Sequence, residues 1–266
     1  MESGLDHRSA RALLEWHIAL GADECIQDAP VNRYELPEAA PVSLRKAAVV
    51  APEPARPQIV PMAQVDTVAE ARRAAAGAAD LAALRAALEG FEHCDLKRGA
   101  RHFVFADGMA GARVMVIGEA PGREEDLEGT PFVGPAGALL DRMLAAIGLS
   151  READARDQGV YITNVLPWRP PQNRDPEAGE IAMMRPFVER HIALARPEVV
   201  IVMGNAACEA VLGRKGVLRL RGGWAEAVGV PVMPMMHPAY LLRNPAAKRE
   251  AWADLLAVQA RLRGGR

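Results

Sequence analysis

Four short apolar runs between residues 114 and 236 predict buried β-strands. Valine, isoleucine and methionine dominate these runs, and stretches with the apolar spacing of a helix separate them. Strands that are apolar on both faces and alternate with helices are typical of a parallel sheet covered on both sides. We therefore predict an α/β fold, with three layers (α/β/α) around a central, four-stranded, mainly parallel sheet. The predicted strands are 114–117, 160–163, 199–203 and 230–236, and the helices between them are 136–147, 176–195 and 206–212.

The first 65 residues follow a different pattern. Residues 9–26 have the spacing of one amphipathic helix, which is too short to form a core alone. The stretch 37–61 contains six prolines, which exclude helices and central strands, so we expect an extended strap or linker. Asp66 or Thr67 can then cap an alanine-rich helix that runs to about Glu89. These changes divide the chain into an N-terminal helical extension (1–36), a proline-rich linker or strap (37–65) and the α/β domain (66–266).

Composition excludes several classes of protein. Of the 266 residues, 50% are hydrophobic and 25% charged, which is typical of a globular protein and not of a collagen-like or low-complexity chain. The longest apolar runs hold about five residues, against the roughly 18–20 that a membrane-spanning helix needs. The N-terminal residues lack the basic start and apolar stretch of a signal peptide. We therefore expect a cytoplasmic protein without a membrane partner. The scattered cysteines, Cys25, Cys94 and Cys208, form neither a disulfide framework nor a metal-ligand pattern.

Charge is distributed unevenly along the chain. The whole protein has a formal net charge of −2, whereas residues 184–266 carry 13 basic and six acidic side chains, a net charge of +7. A polyanionic partner would therefore meet the C-terminal third of the chain. A solvated basic surface explains the same distribution equally well, so charge alone does not identify a partner.

Polar side chains closely follow three of the four predicted strands. Glu119 comes after the first strand, Asn164 after the second and His237 after the fourth. Because ligands of such sheets bind beyond the carboxyl ends of the strands, we expect a carboxylate, an amide and an imidazole to meet at one edge. Taken singly, each residue has an ordinary structural explanation: a carboxylate at a helix N-terminus, a turn asparagine, and a structural histidine before a proline.

Five motifs follow one another in the order of a known family. The motifs are GEAPG followed by EED (118–126), PFVGPAG (131–137), TN (163–164), RPPQNR (169–174) and HPAYLLRNP (237–245). Several motifs in the same order are a far more specific signal than any one of them. On these motifs the chain resembles the family 4 uracil-DNA glycosylases from about residue 91 to residue 257, and residues 1–75 lie outside the resemblance.

The resemblance implies an enzyme that flips uracil out of DNA and hydrolyses its N-glycosidic bond in base-excision repair. It implies that Asn164 pairs with the imide edge of uracil, and that His237 hydrogen-bonds uracil O2 and stabilises the departing anion. Glu119 would hold the attacking water or stabilise the oxocarbenium-like sugar. We expect a monofunctional enzyme that leaves an abasic site, because no lysine is placed to form a Schiff base. The implied base-binding residues are Gly118, Ala120, Pro121, Gly122, Asn164 and Phe132, the last of which would stack on the base.

Two further segments are implied to contact DNA. One is the stiff loop of Pro170, Pro171, Gln172, Asn173 and Arg174, which would press on the damaged strand. The other follows His237: its apolar residues would enter the gap left by the flipped base, and the arginine would meet phosphates. Alternatively, these apolar side chains pack on the domain. We expect the protein to act as a monomer on uracil-containing DNA, single- or double-stranded. The residues of the second segment are Tyr240, Leu241, Leu242 and Arg243.

The chain departs from the family at an iron–sulfur cluster. The family holds this cluster with four cysteines, and the matching positions here are Phe91, Cys94, Trp168 and Met184. Because a cluster needs a full set of thiolate ligands, we predict that no metal and no other cofactor is bound. We hypothesise that the four side chains pack together where the cluster would sit, so that apolar burial ties the same segments together.

Two other functions stay open at this point. A glycosylase for another deaminated base, such as hypoxanthine or xanthine, would differ in the size of the pocket around Ala120, Pro121 and Asn164. A non-catalytic DNA-binding protein on the same fold is the third interpretation, and the presence of Glu119, Asn164 and His237 argues against it.

Overall fold

The computed structural model describes residues 11, 12, 14–16 and 66–264. Residues 11, 12 and 14–16 are helical, in agreement with the pattern over 9–26. The rest of that stretch and the predicted strap over 37–61 lie outside the described residues. Residues 66–264 belong to one unit by their contacts, while the three-part division of the chain stays a prediction. None of the described helices is long and apolar enough to cross a membrane.

Six strands form a single sheet with the order β1-β3-β2-β4-β6-β5. The four inner strands are parallel, and β1 and β5 are antiparallel edge strands. The inner strands confirm the four predicted ones to within one residue at each end, so the predicted count was short by the two edges. The strands are β1 (Ala106–Gly108), β2 (Val114–Gly118), β3 (Val160–Asn164), β4 (Val199–Met203), β5 (Ala225–Ala227) and β6 (Val230–Met235).

Helices cover both faces of the sheet, as predicted. One face packs against α5, α9 and α10, and the other against α1, α2, α6 and α7. The helices are α1 (Thr67–Gly77), α2 (Leu81–Glu89), α3 (Leu96–Gly99), α4 (Arg123–Glu128), α5 (Pro135–Ala145), α6 (Ala178–Ala195), α7 (Asn205–Leu212), α8 (Val217–Leu220), α9 (Pro238–Arg243) and α10 (Lys248–Gly264).

Strand β2 shows why apolar runs became inner strands. Val114 and Val116 are buried in one core, and Met115 and Ile117 in the core on the opposite face. Successive side chains of a strand point to opposite faces, so a strand covered on both sides has to be apolar at every position. This burial holds the carboxyl ends of the inner strands in line, and those ends carry the candidate site.

The alanine-rich segment forms two helices, whereas the sequence pattern predicted one. Asp66 caps α1, as predicted, by accepting hydrogen bonds from two backbone N–H groups at 3.0 and 3.1 Å. The helix ends at Gly77, and Asp80 caps α2 by accepting from the Ala83 N–H at 2.8 Å. A second capping residue three positions after a glycine was the signal for the break.

Candidate functional site

The carboxyl ends of the inner strands bring the predicted site residues together. Gly118 at the end of β2 is in register with Asn164 at the end of β3. A methyl group placed on Gly204, just after β4, would lie 3.6 Å from His237 Cβ and 3.9 Å from Glu119 Oε2. A carboxylate, an amide and an imidazole therefore do meet at one edge of the sheet, as the order of the strands indicated.

Gly118 lies directly against the side chains of Asn164 and Phe132. A methyl group at this position would lie 2.4 Å from Asn164 Oδ1 and 2.5 Å from Phe132 Cζ. Both distances are shorter than a non-bonded contact allows, so any other residue would displace the amide, the ring or both. The absence of a side chain at Gly118 therefore leaves the space that the Asn164 amide and the Phe132 ring occupy.

The rings of Phe132 and His237 form an offset stack. Their centroids are 5.4 Å apart and their planes differ by 25°. If the planes are separated by about 3.5 Å, as carbon atoms in contact are, the imidazole is displaced sideways by roughly 4 Å and covers only part of the Phe132 face. A planar base lying in the imidazole plane over the rest of that face would meet His237 edge-on.

The backbone at Phe132 adopts an unusual conformation. Its φ of 55° lies in the left-handed region, which costs a non-glycine residue roughly 1–3 kcal/mol. A methyl group on Gly137 would lie 1.7 Å from the Phe132 carbonyl oxygen, so helix α5 approaches this peptide more closely than any side chain permits. Glu125 Oε1 accepts hydrogen bonds from the N–H groups of Val133 at 3.1 Å and Gly134 at 3.4 Å. Contacts with Gly137 and Glu125 therefore hold the backbone that carries the Phe132 ring in this conformation.

His237 is neutral and has a defined tautomer. Burial, with a smaller contribution from the charge of Arg243, lowers its pKa to about 4. Nδ1 accepts a hydrogen bond from the Ala239 N–H at 3.2 Å, so in the neutral ring the proton is assigned to Nε2. The imidazole can therefore donate one hydrogen bond from Nε2 without carrying a positive charge.

Glu119 lines a cavity of about 230 Å³ together with Asp175 and Asn205. Burial raises the pKa of this carboxyl group, and the neighbouring negative charge of Asp175 raises it further. The cavity has room for a water molecule, whose share of liquid volume is about 30 Å³. It is also lined by Lys215, which forms an ion pair with Glu209 at 3.1 Å.

The glycine-rich loop after β2 offers fewer free donors than its sequence suggests. The Gly122 N–H donates to Glu125 Oε2 at 2.9 Å, and Pro121 has no N–H group. Gly118 and Ala120 are the remaining members of the predicted base-binding set in this loop. The backbone around them is therefore where a base carbonyl could be bound.

The segment after His237 is a short helix, not the exposed loop expected from its sequence. Leu241 is 1% exposed and packs in the core beneath α9, so it cannot enter DNA. Leu242 is 40% exposed, and Arg243 is exposed beside it, while Tyr240 is half-buried. Of the three apolar residues implied to enter a DNA gap, Leu242 is the one whose side chain is available.

The other predicted DNA segment, residues 170–174, is also only partly exposed. Pro170 is buried, which contradicts a direct role in pressing on DNA, whereas residues 171–173 form an exposed single turn. Arg174 holds this turn by donating two hydrogen bonds to Glu180 on α6, at 2.9 and 2.6 Å. Arg169 donates to the Asn173 side chain at 2.7 Å, so the turn keeps its shape through its own polar contacts.

The four positions implied to ligate a cluster belong to one buried apolar core. Phe91, Cys94, Trp168 and Met184 are each at most 5% exposed, and burial raises the pKa of the Cys94 thiol. Three of the four positions carry no thiol, so these residues do not fit an iron–sulfur cluster. Over residues 66–264 and the few described N-terminal positions, no three histidine, cysteine or acidic side chains are grouped to hold a metal ion.

Three residues at the site went unnoticed as functional candidates in the sequence. Glu125 and Arg151 bind backbone atoms of the Phe132 segment, and Asp175 faces Glu119. Glu125 lies inside a recognised motif, but no spacing shows that its partners are amide groups eight and nine residues away. Arg151 and Asp175 carry no sequence signal, because their partners are distant in the chain.

Known proteins match this chain over the α/β domain. The model of the uracil DNA glycosylase superfamily matches residues 105–256. A type-4 uracil-DNA glycosylase of Archaeoglobus fulgidus is 38% identical over 176 residues, which cover 62% of this chain and 84% of that protein. A type-4 enzyme of Saccharolobus solfataricus is 36% identical and covers 64% and 81%, and one of Thermotoga maritima is 38% identical and covers 57% and 77%. This chain belongs to the uracil DNA glycosylase superfamily.

Proposed function

We propose that this chain excises uracil from DNA and leaves an abasic site, through the residues at the carboxyl edge of its sheet. The observation that carries the assignment of roles is that Asn164 and Phe132 meet over Gly118, with His237 stacked on Phe132. In the reaction, water adds to C1′ of the deoxyribose and the C1′–N1 bond breaks, with its electron pair leaving on uracil. One proton of the water is released, and the uracil anion takes up a proton to give free uracil.

Asn164 reads the edge of the flipped base. Its amide presents one donor and one acceptor side by side, and the imide edge of uracil presents the complementary N3–H and O4. Cytosine has an unprotonated N3 and an amino group at the same positions, so the same amide orientation would face donor to donor and acceptor to acceptor. Base selection therefore depends on keeping the amide in place, which the close approach of Gly118 favours.

His237 stabilises the leaving group as a neutral donor. Charge grows on uracil O2 as the glycosidic bond breaks, and an Nε2–H group aimed at that oxygen strengthens its hydrogen bond in the transition state. Because the ring is already neutral at physiological pH, it does not transfer a full proton to the base. Stacking of the base on Phe132 would keep O2 in the imidazole plane.

Glu119 acts on the sugar side of the bond. As a carboxylate it would orient the attacking water and stabilise positive charge on the sugar ring. Because the pKa of Glu119 is raised, its carboxyl group becomes protonated at a higher pH than an ordinary glutamate. The rate should therefore fall on the acid side of the pH profile. Lys215 lines the same cavity but is held by Glu209, so we expect hydrolysis without the strand cleavage that a lysine Schiff base would cause.

DNA meets this edge of the sheet through α9 and the turn at 171–173. Leu242 is the side chain that would fill the gap left by the flipped base, with Arg243 close to the phosphates. We propose that the chain acts as a monomer on single- or double-stranded DNA. Its cytoplasmic location stays a prediction from the sequence.

We further propose that the enzyme works without an iron–sulfur cluster. In its place, Phe91 packs edge-on against Phe187 with ring centroids 5.3 Å apart, and Trp168 packs against Phe103 at 5.6 Å. These contacts join the segment before β1, the residues before the 169–174 turn, and α6. Apolar burial thus connects the elements that a cluster would connect in the family.

The test is a panel of labelled oligonucleotides, each with one uracil, hypoxanthine, xanthine or unmodified base, in single and double strands. After incubation with the purified protein, alkali should cleave only at uracil, while the product kept at neutral pH without heating should remain an intact strand. Cleavage at hypoxanthine or xanthine but not at uracil would replace the proposed substrate. DNA binding without cleavage of any substrate would contradict an enzymatic function.

A further inference from the structure

Arg151 reaches the segment that carries Phe132 from outside the recognised motifs. Its Nη1 donates to the carbonyl oxygen of Pro131 and its Nη2 to that of Phe132, both at 2.9 Å. The same guanidinium donates to Asp107 on β1 and Asp141 on α5, each at 2.9 Å. Its side chain is only 12% exposed, so one cation joins the edge strand, the base-stacking segment and the helix behind it.

We propose that Arg151 is a positioning residue for uracil excision, acting through the backbone of Pro131 and Phe132. This inference rests on the proposed function, in which the Phe132 ring receives the flipped base. In this role Arg151 does not touch the substrate. It binds the carbonyl groups of Pro131 and Phe132, and these fix the peptide from which the Phe132 ring projects.

Arg151 and Glu125 divide the polar groups of the segment between them. Glu125 accepts from the N–H groups of Val133 and Gly134, whereas Arg151 donates to the C=O groups of the two preceding residues. The Glu125 carboxylate and the Arg151 guanidinium thus bind the backbone of four consecutive residues, 131–134. Phe132 needs such support because its φ of 55° is one that L-residues rarely adopt when free.

The geometry requires an arginine at position 151. Four partners surround the side chain, and a planar guanidinium offers five N–H donors in a fixed arrangement. A lysine has three donors on one atom and cannot reach two carbonyl oxygens and two carboxylates on different elements. Arg151→Lys should therefore retain the positive charge and lose the positioning effect.

A double-mutant cycle tests the proposal. Arg151→Ala should lower kcat/KM for uracil excision by about 10- to 100-fold, as loss of positioning does. In a Phe132→Ala background the same change should cost less than about threefold, because the ring that it positions is gone. Arg156→Ala is the matched control: Arg156 also donates to a backbone carbonyl, that of Gly111 at 3.0 Å, and pairs with Glu198, away from the site.

Backbone hydrogen exchange separates this inference from the proposed function. In the free protein, Arg151→Ala and Arg151→Lys should both raise exchange over residues 131–137, and Arg156→Ala should not. If the wild-type chain excises no uracil, the proposed function fails, while the exchange result still decides whether Arg151 holds the segment. Unchanged exchange in both Arg151 variants, or an equal loss of kcat/KM with and without Phe132, would overturn the positioning role.

Discussion

Replacing Trp168 tests whether apolar burial has taken over the site of the cluster. The indole is 3% exposed and belongs to the same core as Phe91, Cys94 and Met184. A buried tryptophan removes roughly 200 Å² from water, which at about 25 cal/mol per Å² corresponds to about 5 kcal/mol. Trp168→Ala should accordingly lower the free energy of unfolding by about 3–5 kcal/mol.

Urea unfolding followed by circular dichroism measures this loss directly. For a domain of this size, a loss of about 3–5 kcal/mol should also lower Tm by roughly 6–20 °C. Trp252→Ala is the matched control, because that indole is 42% exposed on α10 and its removal should cost less than about 1 kcal/mol. If the two variants lost the same stability, or if Trp168→Ala lost less than about 1 kcal/mol, the argument from burial would be refuted.

Four further variants test separate parts of the account. Gly118→Ala should lower kcat/KM for uracil excision by about 100-fold, because its methyl group displaces Phe132 or Asn164 from the base-binding geometry. Asp175→Asn should move the acid limb of the kcat–pH profile to lower pH, because the Asp175 charge helps to raise the pKa of Glu119. Leu242→Ala should slow excision more from double-stranded than from single-stranded DNA, because a duplex leaves a gap to fill. His191→Gln should make folding less sensitive to acid, as measured by urea unfolding at pH 7 and pH 4. Burial lowers the pKa of His191 from 6.5 to about 3, so the wild-type contribution is intact above pH 6.5 and falls as the pH decreases, by about 3 kcal/mol at pH 4.

Each of these variants has an outcome that contradicts its reasoning. Gly77→Ala is the control for Gly118→Ala, because a methyl group at Gly77 meets nothing within 4 Å, and it should keep full activity. If both variants lost similar activity, the loss in Gly118→Ala would not come from displacing Phe132 or Asn164. If the acid limb did not move in Asp175→Asn, it would not report the ionisation of Glu119. Equal slowing on both DNA forms would exclude Leu242 as the gap-filling residue. An unchanged acid sensitivity in His191→Gln would place the acid response on other groups.

The inner sheet was predictable because burial on both faces demands uninterrupted apolar runs. The edge strands were not, since Ala106–Gly108 and Ala225–Ala227 are three residues long and lack such a run. An edge strand is held by backbone pairing on one side only, which any short extended segment can provide. The break between α1 and α2 was readable in the capping residue Asp80, but the alanine-rich pattern on either side masked it.

The site was predictable where its residues directly follow inner strands. Strand order alone brings Glu119, Asn164 and His237 to one edge, and their contacts around Gly118 and Gly204 follow from it. The burial of Leu241 and Pro170 was not predictable, because the motifs give residue types and not the side on which each one packs. Residues that act on backbone atoms are the hardest to find from sequence. Arg151 is the clearest case here, since a carbonyl partner has no residue type to recognise.

The central claim is that this edge of the sheet excises uracil without an iron–sulfur cluster. The most direct measurement is uracil release from a labelled oligonucleotide by anaerobically purified protein, with iron and acid-labile sulfide quantified in the same sample. Asn164→Ala and His237→Ala should be purified in parallel. The account predicts turnover by a protein without stoichiometric iron, and loss of turnover in both variants while binding to abasic DNA persists. A full complement of cluster iron in the active protein, or undiminished turnover in either variant, would contradict it.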